Sequence, residues 1–195
     1  TKLTDDALFL YTAAVLGSPA YTERFFRELV VPGPRLPIPR NAALFAKGVA
    51  LGKRVVCLHT FGERYAPAGF VLSGTARVVT AVSDAAADYP DKLCHYDEKS
   101  QTIRLGTGII GPVPPEIGNF SVSGFRVVKS WLDYRSKTGA GKSSSPLDDI
   151  RPTRWTHDMT EELLRMLWVL EGVVALFPEQ AAFLDEVMAN SLVLA

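Results

Sequence analysis

The chain has 195 residues, of which 47% are hydrophobic and 22% charged, the values of a globular protein able to bury one core or two tightly packed subdomains. Its 21 Lys and Arg balance 21 Asp and Glu, which excludes a strong overall field for a polyanion, and 2 cysteines exclude a disulfide framework. No apolar run approaches the roughly 20 residues of a membrane span, and the opening TKLTDDALFL lacks the basic start and apolar centre of a signal peptide, so a reducing, cytoplasmic setting is expected.

Thr4 can cap a first helix with Asp5 and Asp6 in its opening turn, where carboxylates favour the positive end of the dipole; Gly17-Ser18-Pro19 stops it. A second helix is predicted from Pro19 to Leu29, with Tyr21, Phe25 and Leu29 on one face. The prolines between Pro32 and Pro39 then forbid regular structure and predict an extended, packed strap. Asn41 is the N-cap of a third helix, with Leu44, Gly48, Leu51, Val55 and Leu58 as its buried stripe and Lys47, Lys53 and Arg54 outside it.

From Ala66 the period changes to two. Phe70 to Leu72 and Ala76 to Val82 read as strands, and Cys94 to Tyr96 and Gln101 to Leu105 read as a strand pair joined by the turn Asp97 to Ser100. Gly106 to Gly118 reads as a Gly/Pro-rich connection. The pattern becomes helical from Ser123-Gly124, with Phe125, Val128, Trp131 and Leu132 stacked on one apolar face, and ends near Ser136. Lys137 to Ser145 offers no apolar anchor and is expected to be a mobile basic loop. Thr160 with Glu161 and Glu162 opens an apolar helix through Leu176, and Pro178 starts another, closed by Phe183, Leu184 and Val187.

Helices, a small central antiparallel sheet, then helices define an α+β fold. We read it as a helical subdomain with a Pro-rich strap over residues 1–66, a small β subdomain over 67–122 and a helical subdomain over 123–195 carrying the basic loop 136–146. Charge is uneven along the chain. Residues 1–66 hold nine cations against five anions and 121–157 seven against three, whereas 158–195 hold one against seven. Such segregation allows one basic and one acidic face.

Catalytic chemistry finds little support. Gly139-Ala-Gly-Lys-Ser143 imitates the end of a phosphate-binding loop, but Ser136 stands where the first glycine belongs, and the segment follows a helix and runs into Pro146. Cys57, His59, Cys94 and His95 match no common zinc spacing, leaving a small thiol and ordinary histidines. Asp148 and Asp149 have no nucleophile or metal partner nearby, Asp149 being a plausible cap, and His59 and His157 lack an Asp or Ser at suggestive spacing. The chain contains neither an Asn-Pro-Pro-aromatic motif nor a Gly-rich cofactor loop, so no cofactor, metal or methyl transfer is expected of it. Its start at Thr1 leads us to expect an excised piece whose parent's chemistry lies upstream.

Two blocks carry a resemblance. Gly124-Phe-Arg-Val-Val128, Trp131-Leu-Asp-Tyr-Arg135 and Ser145-Pro-Leu-Asp-Asp-Ile150 resemble the C-terminal module of the type ISP restriction-modification enzymes. Leu10 to Tyr21, Pro34 to Pro39, Leu51-Gly52 and Leu58-His59 resemble that family's opening, and the helix Glu162 to Trp168 extends the match; Ser123 departs from a glycine pair there. The resemblance implies a non-catalytic target recognition domain. It would read double-stranded DNA while an upstream adenine-specific methyltransferase of the same polypeptide, using S-adenosylmethionine, flips and methylates adenine. A motor using ATP and Mg, with a nuclease, would lie further upstream, and the role would be phage defence.

Base-reading residues vary with the target, so the candidates come from the chain itself: cations in or beside loops, namely Arg35, Arg40, Arg77, Arg126, Lys129, Arg135, Lys137, Lys142 and Arg151. Arginine can be bidentate to guanine, whereas loop lysines more often meet phosphate. Two other classes compete. One is a protein-docking module of a helicase or methyltransferase, which a large exposed apolar patch would favour. The other is an RNA-binding module, against which the sheet lacks paired stacking aromatics.

Overall fold

The computed structural model describes residues 4–33, 35–89, 95–136 and 152–191. It is an α+β fold of two compact units, residues 1–72 with 172–195, and residues 73–171.

The first unit is helical. Helix α1 (Asp5–Leu16) starts where expected, the Thr4 hydroxyl accepting from the Ala7 amide at 3.1 Å. Helix α2 is shorter than predicted: Pro19–Arg24 is α-helical, and after Phe25 only a 3₁₀ turn, Glu28–Val30, follows. The reason is burial. Tyr21 is enclosed, but Phe26, Val30 and Val31 are exposed, so no core holds a longer helix in register. Helix α3 (Ala42–His59) is capped by the Asn41 carboxamide oxygen, which accepts from the Ala43 amide at 2.7 Å. Between α2 and α3 the strap is packed as expected. The Tyr21 hydroxyl donates to the Arg35 carbonyl and the Tyr11 hydroxyl to the Pro37 carbonyl, each at 2.6 Å. Burial pushes both tyrosine pKa values up, so both stay donors across the physiological range.

Two glycines let α1 and α3 approach closely. A Cβ on Gly52 would stand 1.8 Å from the Leu10 carbonyl oxygen, and one on Gly48 would meet the rings of Phe183 and Tyr11 at 2.6 Å. Around this crossing lies the core of Tyr11, Leu51, Val55, Leu176, Phe183 and Val187.

The second unit is built on a four-stranded antiparallel sheet. Its strands are β1 (Arg77–Thr80), β2 (His95–Asp97), β3 (Thr102–Leu105) and β4 (Gly108–Gly111), in the order β1-β4-β3-β2. Two expectations are corrected here. Phe70 to Leu72 forms no strand, and the presumed connection contains β4, whose two terminal glycines hid the buried Ile110 between them. The sheet pairs Tyr96 with Ile103, Ile103 with Ile110 and Ile110 with Val78, so these four side chains share one face. Ile103, Leu105 and Ile110 are fully buried there.

A short helix α4 (Pro115–Gly118) leads to a hairpin, β5 (Ser121–Val122) with β6 (Phe125–Arg126). Ser123 and Gly124 have φ of 50° and 82°, so they are a two-residue hairpin turn rather than the start of a helix. Helix α5 therefore begins only at Val127 and runs to Tyr134. Phe125, predicted on a buried helical face, is 53% exposed on β6; Val128 and Leu132 are buried, and Trp131 is only half-buried.

The two predicted C-terminal helices are one, α6 (His157–Ala189), with Pro178 inside it. A proline removes one rung of the helix ladder. The buried side chains on both sides, Val173 and Leu176 before it and Phe183 and Leu184 after it, hold the helix through that gap. By length and composition α6 could cross a membrane, with a mean hydropathy of 1.4 over its most apolar stretch. Counting uninterrupted apolar runs overlooked it. Its apolar character serves two cores: Leu163 and Leu167 are buried in the second unit, and Leu176, Phe183 and Val187 in the first.

Candidate nucleic-acid interface

Lys137, Lys142 and Arg151 lie outside the described residues, as do the loop 137–145, Asp148, Asp149 and Cys94. The other six candidate cations occupy three places. Arg35 and Arg40 are exposed at the two ends of the strap in the first unit. The Arg40 side chain donates through Nε to the Ser191 carbonyl at 3.2 Å and its amide to the Asn190 carbonyl at 2.9 Å.

Arg126, Lys129 and Arg135 gather around β6 and α5. Arg126 donates to the Asn119 carboxamide oxygen at 3.4 Å, and Lys129 is ion-paired with Asp133 one helical turn on. Arg135 is the most engaged of the three. Its guanidinium lies 3.6 Å from the centre of the Trp131 ring and pairs with Glu162 at 2.9 Å. A guanidinium both stacked and paired joins α5 to the first turns of α6 and holds Trp131 in place. Trp131 in turn meets Trp155 edge to face at 6.1 Å. Because Trp131 is half-buried, Trp131→Ala is expected to cost about 2 kcal/mol, below the range for a fully enclosed aromatic; urea denaturation of the variant checks it, and a loss above about 4 kcal/mol would mean that the ring is the keystone of this unit.

Arg77 is exposed on β1 and, among the described residues, has no ion-pair partner. Arg104, which the sequence reading passed over, is likewise exposed and without an ion pair on β3. The signal was present: Thr102-Ile-Arg-Leu105 alternates, and a cation between two buried apolar residues of a strand must point to the opposite face.

The cations of the first unit are arranged differently. Arg24 pairs with Asp185 at 2.7 Å, and Lys47 with Glu186 and Arg54 with Glu179 at 2.6 Å each. The basic N-terminal stretch and the acidic C-terminal one are therefore interleaved on this unit, not parted onto a basic and an acidic face. These pairs are about half exposed, so each is worth at most about 1 kcal/mol to stability. Their main effect is on the surface potential.

The second unit also has an open cleft of about 720 Å³, lined by Val78, Val82, Trp155, Leu164 and Trp168 among others. At its rim His157 faces Glu161 at 3.1 Å, one turn along α6, and both are exposed. The wall is mostly apolar. Cys57 is a buried thiol whose pKa burial pushes up, the opposite of an activated nucleophile.

Together these elements make an α+β fold of a helical unit bound by a Pro-rich strap and a small antiparallel sheet with exposed arginines on two of its strands. The chain belongs to the family of Type ISP C-terminal specificity domains, whose model matches residues 1–166. Domains of this family are non-catalytic. Among solved structures the fold is similar to part of DrdV in a DNA complex, with 19% identity, a TM-score of 0.63, and coverage of 98% of this chain and 19% of that one. It is also similar to part of a nuclease-deletion mutant of the Type ISP enzyme LlaGI with a DNA substrate mimic (18% identity, TM-score 0.54, 94% of this chain and 14% of that). A third likeness is to the ATP-dependent Type ISP enzyme LlaBIII bound to DNA (15% identity, TM-score 0.56, 95% and 11%). At these identities the likeness is one of fold, and the chain spans less than a fifth of each of those chains. No curated protein matches the chain.

Proposed function

We propose that this domain reads a target site in duplex DNA for an adenine-N6 methyltransferase upstream in the same polypeptide. The observation that carries the reading is the family match over residues 1–166, supported by a fold shared with parts of three proteins solved with DNA or a DNA substrate mimic. S-adenosylmethionine, and ATP with Mg if a motor is present, belong to the parent on this reading. The setting is cytoplasmic, no membrane is a partner, and the biological role is restriction of foreign DNA. The domain itself contributes surface.

With a net charge of zero and several cations already paired, the chain offers about four to six phosphate contacts. At about 0.9 units of salt slope per phosphate neutralised, its binding to duplex is expected to be weak and to fall steeply as salt rises from low to physiological levels. Titration of a labelled duplex at several salt concentrations reads this out, with a methyl-transfer assay of the same sample expected to stay blank. Affinity that ignores salt, or methyl transfer by the chain, would sink the reading.

A docking role is favoured by one specific observation. Phe26, Val30 and Val31 are 70%, 77% and 62% exposed within six residues of each other in the first unit, and exposed apolar residues that cluster mark interaction sites. On that reading the segment packs on another domain of the polypeptide, and Phe26→Ser with Val30→Ser would leave DNA binding by the chain intact while weakening its association with the upstream part added in trans. Equal association of wild type and variant would dismiss it.

A further inference from the structure

The face of the sheet opposite the buried isoleucines carries two cations, Arg77 and Arg104, that have no ion pair among the described residues. Arg104 is paired in register with Ile109, Ile109 with Thr80, and Arg77 with Gly111, so Arg104, Ile109, Thr80 and Arg77 share that face. Arg77, Thr80 and Arg104 are exposed and Ile109 is partly so. Asp97, an anion at the end of β2 on this face, accepts from the Ser100 hydroxyl at 2.8 Å and the Lys99 amide at 3.0 Å. Those bonds hold its carboxylate in the turn and lower its pKa, without engaging either arginine.

We infer that this open face grips the sugar-phosphate backbone of duplex DNA through Arg77 and Arg104, an inference that rests on the DNA-reading function proposed above. Charge selects the partner: two arginines with no ion pair face a polyanion without first breaking an internal pair, as Arg24, Lys47, Arg54, Lys129 and Arg135 would have to. Geometry selects phosphate over bases. Three spacings of about 4.8 Å separate the outer strands, so the sheet is about 14 Å broad before side chains are added. A major groove about 12 Å wide admits a two-stranded ribbon, which leaves this sheet lying across the groove mouth.

The spacing of the two arginines fits that placement. They stand two strands apart, about 10 Å, and are offset by two residues, about 7 Å, which puts their Cα atoms about 12 Å from each other. Two side chains rising from that base reach phosphates on either side of the major groove, about 12 Å wide. Thr80, on the same strand as Arg77 and level with Arg104 across β4, supplies a hydroxyl that can donate to a phosphate oxygen. Contacts of this kind position the domain and carry no sequence information.

The test uses the 195-residue chain, with R77Q, R104Q and the double variant, binding a duplex cut by the parent system and a scrambled duplex over a salt series. Each single substitution is expected to flatten the salt slope by about 0.9 and the double by about 1.8. Between 50 and 200 mM salt, the wild type then loses roughly 3.5-fold more affinity than either single variant. Both duplexes should weaken equally, with melting temperatures unchanged, since neither side chain is buried. Wild-type slopes in the variants would overturn the proposal while leaving DNA reading intact, and a loss confined to the cognate duplex would overturn it in favour of base contacts. No binding of either duplex by the wild type would overturn both.

Discussion

Gly52→Ala is expected to destabilise the first unit by about 3 kcal/mol or more, the largest effect of any single added methyl group here. Two terms compete. Alanine is worth about 1 kcal/mol over glycine in a helix interior, and position 52 is well inside α3. Against this, the added Cβ would lie 1.8 Å from the Leu10 carbonyl oxygen and 2.5 Å from its carbon. Those are main-chain atoms of α1, so no rotamer change clears them, and the two helices must part along the crossing. Parting them loosens Tyr11, Leu51 and Val55 together, whereas ordinary overpacking at about 1 to 3 kcal/mol is absorbed by side chains. Gly48→Ala, whose Cβ would meet the rings of Phe183 and Tyr11, should cost less because rings can tilt. Urea midpoints of the two variants decide the matter: a Gly52→Ala protein at least as stable as wild type would show that α1 and α3 do not touch in this way.

The second large effect is expected at Trp155. It is 2% exposed, its indole N–H donates to the Thr160 hydroxyl at 2.7 Å, and its ring meets Trp131. Truncation to alanine should cost about 3 to 5 kcal/mol. The Thr160 oxygen keeps a long contact to the Thr156 carbonyl at 3.5 Å, so the packing loss dominates. Trp155→Phe separates the terms: it keeps most of the ring and removes the donor, at about 1 kcal/mol. Chemical denaturation followed by far-UV circular dichroism measures both, and equal losses for Ala and Phe would assign the role to the hydrogen bond instead.

How far the sequence foretold this molecule depends on the range of the physics involved. Local rules did well: the Thr4 and Asn41 caps, the stripe of α3, and β1 with its β-branched residues are set by neighbours within a turn or a pleat. The turn at Ser123-Gly124 was misread because Phe125, Val128, Trp131 and Leu132 fit a helical stripe, and nothing in that spacing says that the first member sits on a hairpin. Pro178 was read as a boundary because a proline breaks an isolated helix, while the packing that carries α6 through it comes from α1 and α3. For the candidate interface the family was legible, the site less so. Which cations remain unpaired depends on anions far along the chain, such as Glu179 for Arg54 and Asp185 for Arg24. Residue type and loop position could nominate Arg77, but they equally nominated Lys129 and Arg135, whose charges are engaged.

The interleaved ion pairs of the first unit have a consequence for search. A chromosome offers some 10⁶ to 10⁹ wrong sites for each right one, and every exposed, unpartnered cation attracts all of them alike. A domain whose Arg24, Lys47 and Arg54 are already held by Asp185, Glu186 and Glu179 forgoes about one unit of salt slope per cation on arbitrary DNA. If it reads DNA as proposed, its dwell on random sequence is brief, and long residence is reserved for duplexes where base contacts add to the backbone grip.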